Sequence, residues 1–307
     1  MNISKPCCSP CKSAGHTQKK PCPSSLKDSP FQPEVVYGPD DRVDIHQVKD
    51  EKVLKDADSV VALYPADKIV DNGDGTSSLK TEKFGDAYRL CEDEPFREQP
   101  TGAFCSGFLV GPDLIATAGH CVDNGVANTK FVFGYQTDEK GVPTTIVQNS
   151  EVYSAKEVIG EDVGSDGADW ALVRLDRPVE NHNIVTVRDS GKIDDGQAVH
   201  VIGHPAGIPK KYAPGANVRD NNRGAYFVAN LDTYGGNSGS PVFNSETHEV
   251  EGILVRGATD FKWEGSCRVS NECPDTGCRG EDVTRASVFS DLLKEATKEA
   301  AEETAKS

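Results

Sequence analysis

Short apolar segments, rather than long amphipathic helices, dominate the chain from about residue 55 onward. They are rich in β-branched and aromatic residues and are separated by Gly, Pro, Asn and Asp, which is typical of strands joined by turns. Because no helical period of useful length lies between them, the pattern predicts an all-β fold, a sandwich or barrels, rather than βαβ units. The segments span residues 59–64, 104–110, 114–119, 130–135, 144–148, 170–175, 198–203, 225–231, 240–243 and 250–255.

The C-terminal end has a different pattern. Residues 291–306 are rich in Ala, Glu and Lys and contain neither Gly nor Pro. Such a composition predicts a helix, and Ser290 or Asp291 is a suitable residue to cap its first turn.

The first 30 residues differ from the rest in charge and composition. Five Lys and one Asp give them a net charge of +4, so the total of −16 leaves −20 on the remaining 277 residues. We predict a disordered tail over residues 1–30, and no apolar core of a secretory signal is visible in it. A zinc site in this tail is the alternative, since it holds Cys7, Cys8, Cys11, His16 and Cys22.

Charge and hydropathy exclude two classes of partner. A net charge of −16 argues against nucleic acid as the main partner. No uninterrupted apolar run exceeds five residues, as at 60–64, so we expect no membrane insertion.

Cysteine usage points to an oxidising compartment. Six of the ten cysteines lie outside the tail, an even number that is compatible with three disulfides. Spacing alone does not fix the pairing, and a metal site is the weaker alternative because no paired CxxC is present among them. The six are Cys91, Cys105, Cys121, Cys267, Cys273 and Cys278.

Three segments carry candidate catalytic residues. His120 ends an apolar strand in ATAGHC, Asp169 directly precedes the apolar strand at 170–175, and Ser238 lies between glycines in DTYGGNSGSPV. Each has an ordinary structural interpretation: a core histidine, a surface ion pair and a β-turn. Their order and their flanking residues favour nucleophilic catalysis by a Ser, His and Asp set.

Taken together, these motifs resemble the chymotrypsin-fold (trypsin-like) serine endopeptidases. Residues 35–48, 203–209 and 232–243 are similar to the bacterial, secreted glutamyl-endopeptidase-like branch. The resemblance implies two six-stranded antiparallel β-barrels with a C-terminal helix. The implied peptidase domain covers 56–307, with barrels at about 56–185 and 186–290 and the helix at 290–306. Residues 31–55 are then an N-terminal extension or pro-segment.

The resemblance also implies a role for each candidate. Ser238 is the nucleophile, His120 the general base, and Asp169 the carboxylate that orients the imidazole. The backbone N–H groups of Gly236 and Ser238 form the oxyanion hole, and no metal or organic cofactor takes part. A disulfide between Cys105 and Cys121 is implied as well.

Substrate preference is less well determined. Asp232 lies six residues before Ser238, where trypsin-like pockets carry a carboxylate, and this favours weakly Lys or Arg before the scissile bond. Glu-preferring relatives have a His where this chain has Leu254, although Arg256 offers a cation. Acidic and broad preferences therefore remain alternatives. The predicted substrate-binding residues are Asp232, Thr233, Leu254, Val255, Arg256 and Gly257, and a Cys267–Cys278 disulfide is expected to brace their wall.

The leading hypothesis is a monomeric serine endopeptidase that acts on protein or peptide substrates in an extracellular or periplasmic compartment. A catalytically silent binding module on the same fold and a serine esterase are the alternatives.

Overall fold

The first of two barrels is formed by six antiparallel strands in a closed ring. The computed structural model describes residues 36–123, 125–164, 166–257 and 259–304. Strands that are consecutive in the chain are neighbours in the ring, with one exception: Leu114–Thr117 pairs with Asp169–Leu175, and the next strand, Thr129–Val132, pairs with Val60–Pro65. The strands are Val60–Pro65, Cys105–Gly111, Leu114–Thr117, Thr129–Val132, Val152–Val163 and Asp169–Leu175.

The second barrel also closes with six antiparallel strands, because its first strand pairs with two neighbours. A seventh short strand, Val43–Asp44, adds to its edge by pairing with Lys211 and Tyr212. The six strands are Ala198–Gly203, Lys211–Asp220, Tyr226–Ala229, Pro241–Asn244, Val250–Arg256 and Glu281–Arg285.

Shorter elements connect and cover the barrels. The helices are α1 (Glu51–Asp58), α2 (Phe84–Tyr88) and α3 (Ser290–Thr304). Further short strands are Val36–Tyr37, Ile69–Asp71, Thr76–Leu79, Glu82–Lys83, Pro100–Thr101, Ile146–Gln148, Phe261–Glu264, Cys267–Ser270 and Glu272–Cys273. Turns of 3₁₀ helix lie at Ile45–Gln47, Ala66–Lys68, Gly119–Cys121, Val126–Asn128, Asn149–Glu151, Pro205–Gly207 and Ala286–Val288.

The prediction of two six-stranded barrels with a C-terminal helix is confirmed, and each of the ten predicted segments contains a strand. Two long strands were missed. Val152–Val163 is mostly half-buried or exposed and has charged residues among its apolar ones, and Lys211–Asp220 contains Pro214 and Gly215, so neither shows the apolar signature of a buried strand. α1 was missed as well; Asp50 caps it by accepting a hydrogen bond from the backbone of Lys52 at 2.9 Å.

The described part of the predicted extension packs onto the body. Val36–Tyr37 forms a parallel pair with Glu272–Cys273, far along the chain. Residues 1–30, where we predicted a disordered tail, lie outside the described residues. Among the helices that the structure describes, none combines the length and the apolar character needed to cross a membrane.

The structure forms three disulfides among the six cysteines of the body: Cys91–Cys267, Cys105–Cys121 and Cys273–Cys278. The expected Cys267–Cys278 pair is therefore wrong. Backbone hydrogen bonds from Cys91 to Arg268 and from Arg268 to Arg89 lay these segments side by side. This pairing brings the Cα atoms of Cys91 and Cys267 to 5.0 Å, and Cys278 then turns back to Cys273.

Candidate active site

His120 and Asp169 come together because their strands are neighbours in the first barrel. Thr117, near the end of one strand, pairs with Ala171, near the start of the other. The backbone N–H of His120 donates to Asp169 Oδ1 at 3.1 Å, and Nδ1 of His120 lies 2.7 Å from Asp169 Oδ2. Since Asp169 is 3% exposed, this pair is shielded from water and the imidazole is held in one orientation.

The turn that carries His120 is fixed on both sides. It is a 3₁₀ turn that follows the strand Leu114–Thr117 directly. The Cys105–Cys121 disulfide joins it to the neighbouring strand, with the two Cα atoms 6.2 Å apart. This is the disulfide that the family resemblance implied.

Ser238 lies on a turn that only glycine permits at two positions. Gly236 and Gly239 have φ values of 101° and 89°, a region that residues with a side chain rarely adopt. A Cβ on Gly239 would lie 2.0 Å from the carbonyl oxygen of Ser106, and one on Gly236 would lie 2.7 Å from that of His204. The backbone at Ser238 is therefore packed tightly against the first barrel.

Ser106, a residue that sequence reasoning missed, joins the Ser238 turn to the first barrel. Its N–H donates to the Ser238 carbonyl at 2.9 Å, and its hydroxyl donates to the Gly236 carbonyl at 2.9 Å. The hydroxyl also accepts from the N–H of His204 at 3.0 Å. No sequence signal marks Ser106, because its role depends on contacts more than 90 residues away along the chain.

Two further residues that were not predicted support the site. Thr284, on a strand of the second barrel, accepts a hydrogen bond from the N–H of Asp169 at 3.1 Å. Asp260 accepts one from the N–H of Gly235 at 3.1 Å, and burial raises the pKa of Asp260 to about 7. Both barrels thus contribute to the positions of the candidate residues.

A cleft of about 460 Å³ contains both His120 and Ser238. The first barrel contributes one side of it and the Ser238 turn the other. Its described lining is Pro65, Phe104, Cys105, His120, Cys121, Gly125, Asn128, Thr129, Gly235, Gly236 and Ser238.

Asp232 does not lie in this cleft. It is 5% exposed, and its Oδ1 accepts a hydrogen bond from the N–H of Tyr37 at 2.6 Å. It borders a separate cavity of about 140 Å³ together with Tyr37 and Asp41. Burial, with Asp41 as a negative neighbour, raises the pKa of Asp232 to about 7. The expected preference for Lys or Arg therefore loses the residue on which it rested.

The other predicted substrate-binding residues do not line the cleft either. Thr233, Leu254 and Val255 are buried, at 0%, 0% and 3% exposure. Arg256 donates through Nε to Asp282 at 3.0 Å and through a terminal nitrogen to the Gly167 carbonyl at 2.6 Å.

Gly257 lies against Glu281, whose carboxylate fills the space that a Cβ would need. None of the six predicted substrate-binding residues belongs to the described lining of the cleft.

Comparison with known proteins shows what part of the sequence is similar to. Residues 105–253 match the family model described as Trypsin-like peptidase domain. A glutamyl endopeptidase of Bacillus licheniformis is 28% identical over 152 residues, which are 47% of this chain and 46% of that protein. A glutamyl endopeptidase of Staphylococcus aureus is 31% identical over 166 residues, 51% of this chain and 48% of that protein. The chain thus spans about half the length of the curated relatives it matches.

Solved structures share the fold. A structure of Glu endopeptidase in complex with MPD superposes with a TM-score of 0.51 at 16% sequence identity. The match covers 86% of this chain and 100% of the other chain. The structure of the Vibrio cholerae VesB protease has the same TM-score and identity, and the match covers 86% of this chain and 68% of that one. At this level of identity the likeness concerns the fold alone.

Proposed function

We propose that this chain, which carries a trypsin-like peptidase domain related to the glutamyl endopeptidases, is a serine endopeptidase. The observation that supports this best is the doubly hydrogen-bonded His120–Asp169 pair in the cleft that also contains Ser238. A histidine oriented by a buried carboxylate beside a serine on a tight turn is the arrangement that activates a hydroxyl.

In the proposed reaction, His120 takes the proton of the Ser238 hydroxyl as that oxygen attacks the scissile carbonyl carbon. Asp169 holds the imidazole in the required tautomer and stabilises the imidazolium. The backbone N–H groups of Gly236 and Ser238 stabilise the oxyanion, a contribution of about 3 kcal/mol for each donor. His120 then protonates the leaving amine, and water hydrolyses the acyl-enzyme by the same steps.

For the substrate, we propose a preference for an acidic residue before the scissile bond. Both curated relatives reported above are glutamyl endopeptidases. The carboxylate of Asp232 is engaged by Tyr37 and is not available to a Lys or Arg side chain.

The remaining proposals concern organisation and compartment. The peptidase domain spans residues 56–307, with 31–55 as an extension of it. Three disulfides support an oxidising compartment, outside the cell or in the periplasm. The chain acts as a monomer on protein or peptide substrates and does not bind nucleic acid.

The test is digestion of a diverse peptide pool by the wild-type chain and by Ser238→Ala, with the cut sites read by mass spectrometry. Cleavage that persists in Ser190→Ala, an exposed serine, and vanishes in Ser238→Ala supports the nucleophile. Cuts after Glu support the acidic preference, and cuts after Lys or Arg contradict it. A protein that neither cleaves peptides nor reacts with a fluorophosphonate is a silent module, and hydrolysis of esters without matched amides indicates an esterase.

A further inference from the structure

Asp56, His200 and His248 form a compact cluster away from the cleft. Asp56 lies on α1, His200 on the strand Ala198–Gly203, and His248 in the turn before the strand Val250–Arg256. Asp56 and His200 are 6% and 1% exposed, and the side chain of His248 is 17% exposed. One ligand atom from each of the three lies within 4.8 Å of the other two.

The distances suit a small divalent ion. Zinc binds nitrogen and oxygen ligands at about 2.0–2.1 Å, so two ligands of a tetrahedral site stand roughly 3.3 Å apart. His200 Nε2 and Asp56 Oδ2 are 3.3 Å apart. His248 Nδ1 lies 2.5 Å from Asp56 Oδ2, a hydrogen-bonding distance, so this ring has to withdraw slightly to admit an ion.

His200 is prepared to act as a ligand. Its Nδ1 lies 3.1 Å from the hydroxyl of Ser245. When Nδ1 donates its proton to that hydroxyl, Nε2 is unprotonated, and it faces Asp56 as a ligand nitrogen. Nε2 is buried and has no hydrogen-bond partner within the described ranges. The ring is stacked on Phe243, with centroids 5.1 Å apart, so it cannot turn away easily.

A second histidine cluster, around His182, has a geometry that suits hydrogen bonds and not a metal ion. His182 has Asp58 on Nδ1 at 2.9 Å and Glu151 on Nε2 at 2.7 Å. The two carboxylates are on opposite sides of the ring, so no single ion contacts both together with the histidine. In the Asp56 cluster, by contrast, the nitrogens of two rings converge on one carboxylate oxygen.

We propose that Asp56, His200 and His248 bind a structural Zn²⁺ ion that joins α1 to the second barrel. Two imidazoles and one carboxylate are a donor set that suits zinc and not Mg²⁺ or Ca²⁺. The partly exposed side of His248 leaves room for water as the fourth ligand. Because α1 leads directly into Val60–Pro65 of the first barrel, the ion ties the two barrels together on a face that takes no part in the proposed reaction.

The experiment measures zinc in the full-length chain after loading and extensive dialysis. Cys7, Cys8, Cys11 and Cys22 are replaced by Ser in every sample so that tail thiols contribute no metal. We expect about one zinc ion per chain in this parent protein. His248→Gln and Asp56→Asn should each weaken binding by more than about 100-fold. The matched control, His182→Gln, removes a histidine that also pairs with two carboxylates and should keep the zinc.

Thermal unfolding gives an independent readout. Zinc at about 100 times its dissociation constant should raise the Tm of the parent by about 5–10 °C, and EDTA should reverse the rise. His248→Gln should lose this response, whereas His182→Gln should retain it. A parent protein without bound zinc and without a Tm response overturns the proposal, as does equal zinc binding by the parent and His248→Gln. Cobalt(II) in place of zinc should give visible absorption bands without a thiolate charge-transfer band.

Discussion

Asp169 and Asp232 are both buried aspartates that family motifs mark as functional, yet the structure treats them differently. Asp169 faces His120 at the cleft, through two hydrogen bonds. Asp232 faces away from the cleft and accepts from the backbone of Tyr37, a residue 195 positions earlier. A motif thus locates a residue along the chain, but its partners decide what its side chain can do.

The two carboxylates differ in how far along the chain their hydrogen-bond partners lie. Asp169 starts a strand whose neighbour carries His120, 49 positions away, so ordinary ladder pairing brings the two together. The region of Asp232 is assembled from remote segments: the N-terminal strand Val36–Tyr37 and the segment pinned by Cys91–Cys267. Remote contacts of this kind are not encoded in the residues next to Asp232.

The largest expected effect is at Asp169. Asp169→Asn should lower kcat by about 10⁴-fold, because an amide no longer stabilises the imidazolium or enforces its tautomer. The measurement is peptide hydrolysis under saturating substrate. Asp162→Asn, an exposed aspartate on the neighbouring strand, should change kcat little. A loss below about 10-fold in Asp169→Asn would remove it from the catalytic set.

Removing the Cys91–Cys267 disulfide should destabilise the region of Asp232 and not the catalytic pair. In the chain-entropy model, its sequence separation of 176 corresponds to about 5 kcal/mol of stability, against about 2 kcal/mol for Cys273–Cys278 with a separation of 5.

Urea unfolding of the two double-Ala variants measures which disulfide contributes more to the free energy of unfolding. Labelling of Ser238 by a fluorophosphonate should stay intact in Cys91→Ala/Cys267→Ala, because neither cysteine lines the cleft. Equal destabilisation by the two double variants would contradict this account.

Thr284→Val tests the support that the second barrel gives to Asp169. The substitution keeps the shape of the side chain but leaves the buried N–H of Asp169 without its acceptor, at a cost of about 1–2 kcal/mol in stability. If Asp169 shifts as a result, kcat falls about 10-fold. Thr284→Ser restores the hydroxyl and should recover most of both losses. An unchanged stability and kcat in Thr284→Val would show that this hydrogen bond positions nothing.

The smallest effect on activity is expected at Asp232. Asp232→Asn should keep the cleavage preference of the wild type, since the side chain is outside the cleft. Loss of cuts after Lys or Arg in this variant would instead make Asp232 the base of the pocket.

The same substitution should remove a pH-dependent loss of stability that the wild type shows. The folded-state pKa of Asp232, about 7, lies above the ordinary value of 3.8. Its contribution is therefore fully present below about pH 4 and is lost as pH rises through about 7. Asp232→Asn lacks this loss, so it should gain on the order of 1–2 kcal/mol over the wild type between pH 5 and pH 8 in urea unfolding.

The sequence by itself predicted most of the strands and, through its resemblance to family motifs, the candidate catalytic residues and one disulfide. The strands follow from short-range information, namely apolar segments of strand length bounded by turn residues, and the glycines stand where the Ser238 turn needs positive φ. His120 and Asp169 were found because each ends or begins an apolar strand and because their order with Ser238, together with the flanking residues, resembles the family's motifs. The Cys105–Cys121 pair came from the family resemblance, and it joins two adjacent strands.

Only the tertiary structure decided which remote groups meet. It paired Cys91 with Cys267, turned Asp232 towards Tyr37, and placed Ser106 and Thr284 against the site. It also brought Asp56 beside His200 and His248, 144 and 192 positions away. The physical reason is that barrel closure and packing between barrels fix these neighbours, whereas hydrophobic periodicity specifies only which face of its own strand a residue occupies.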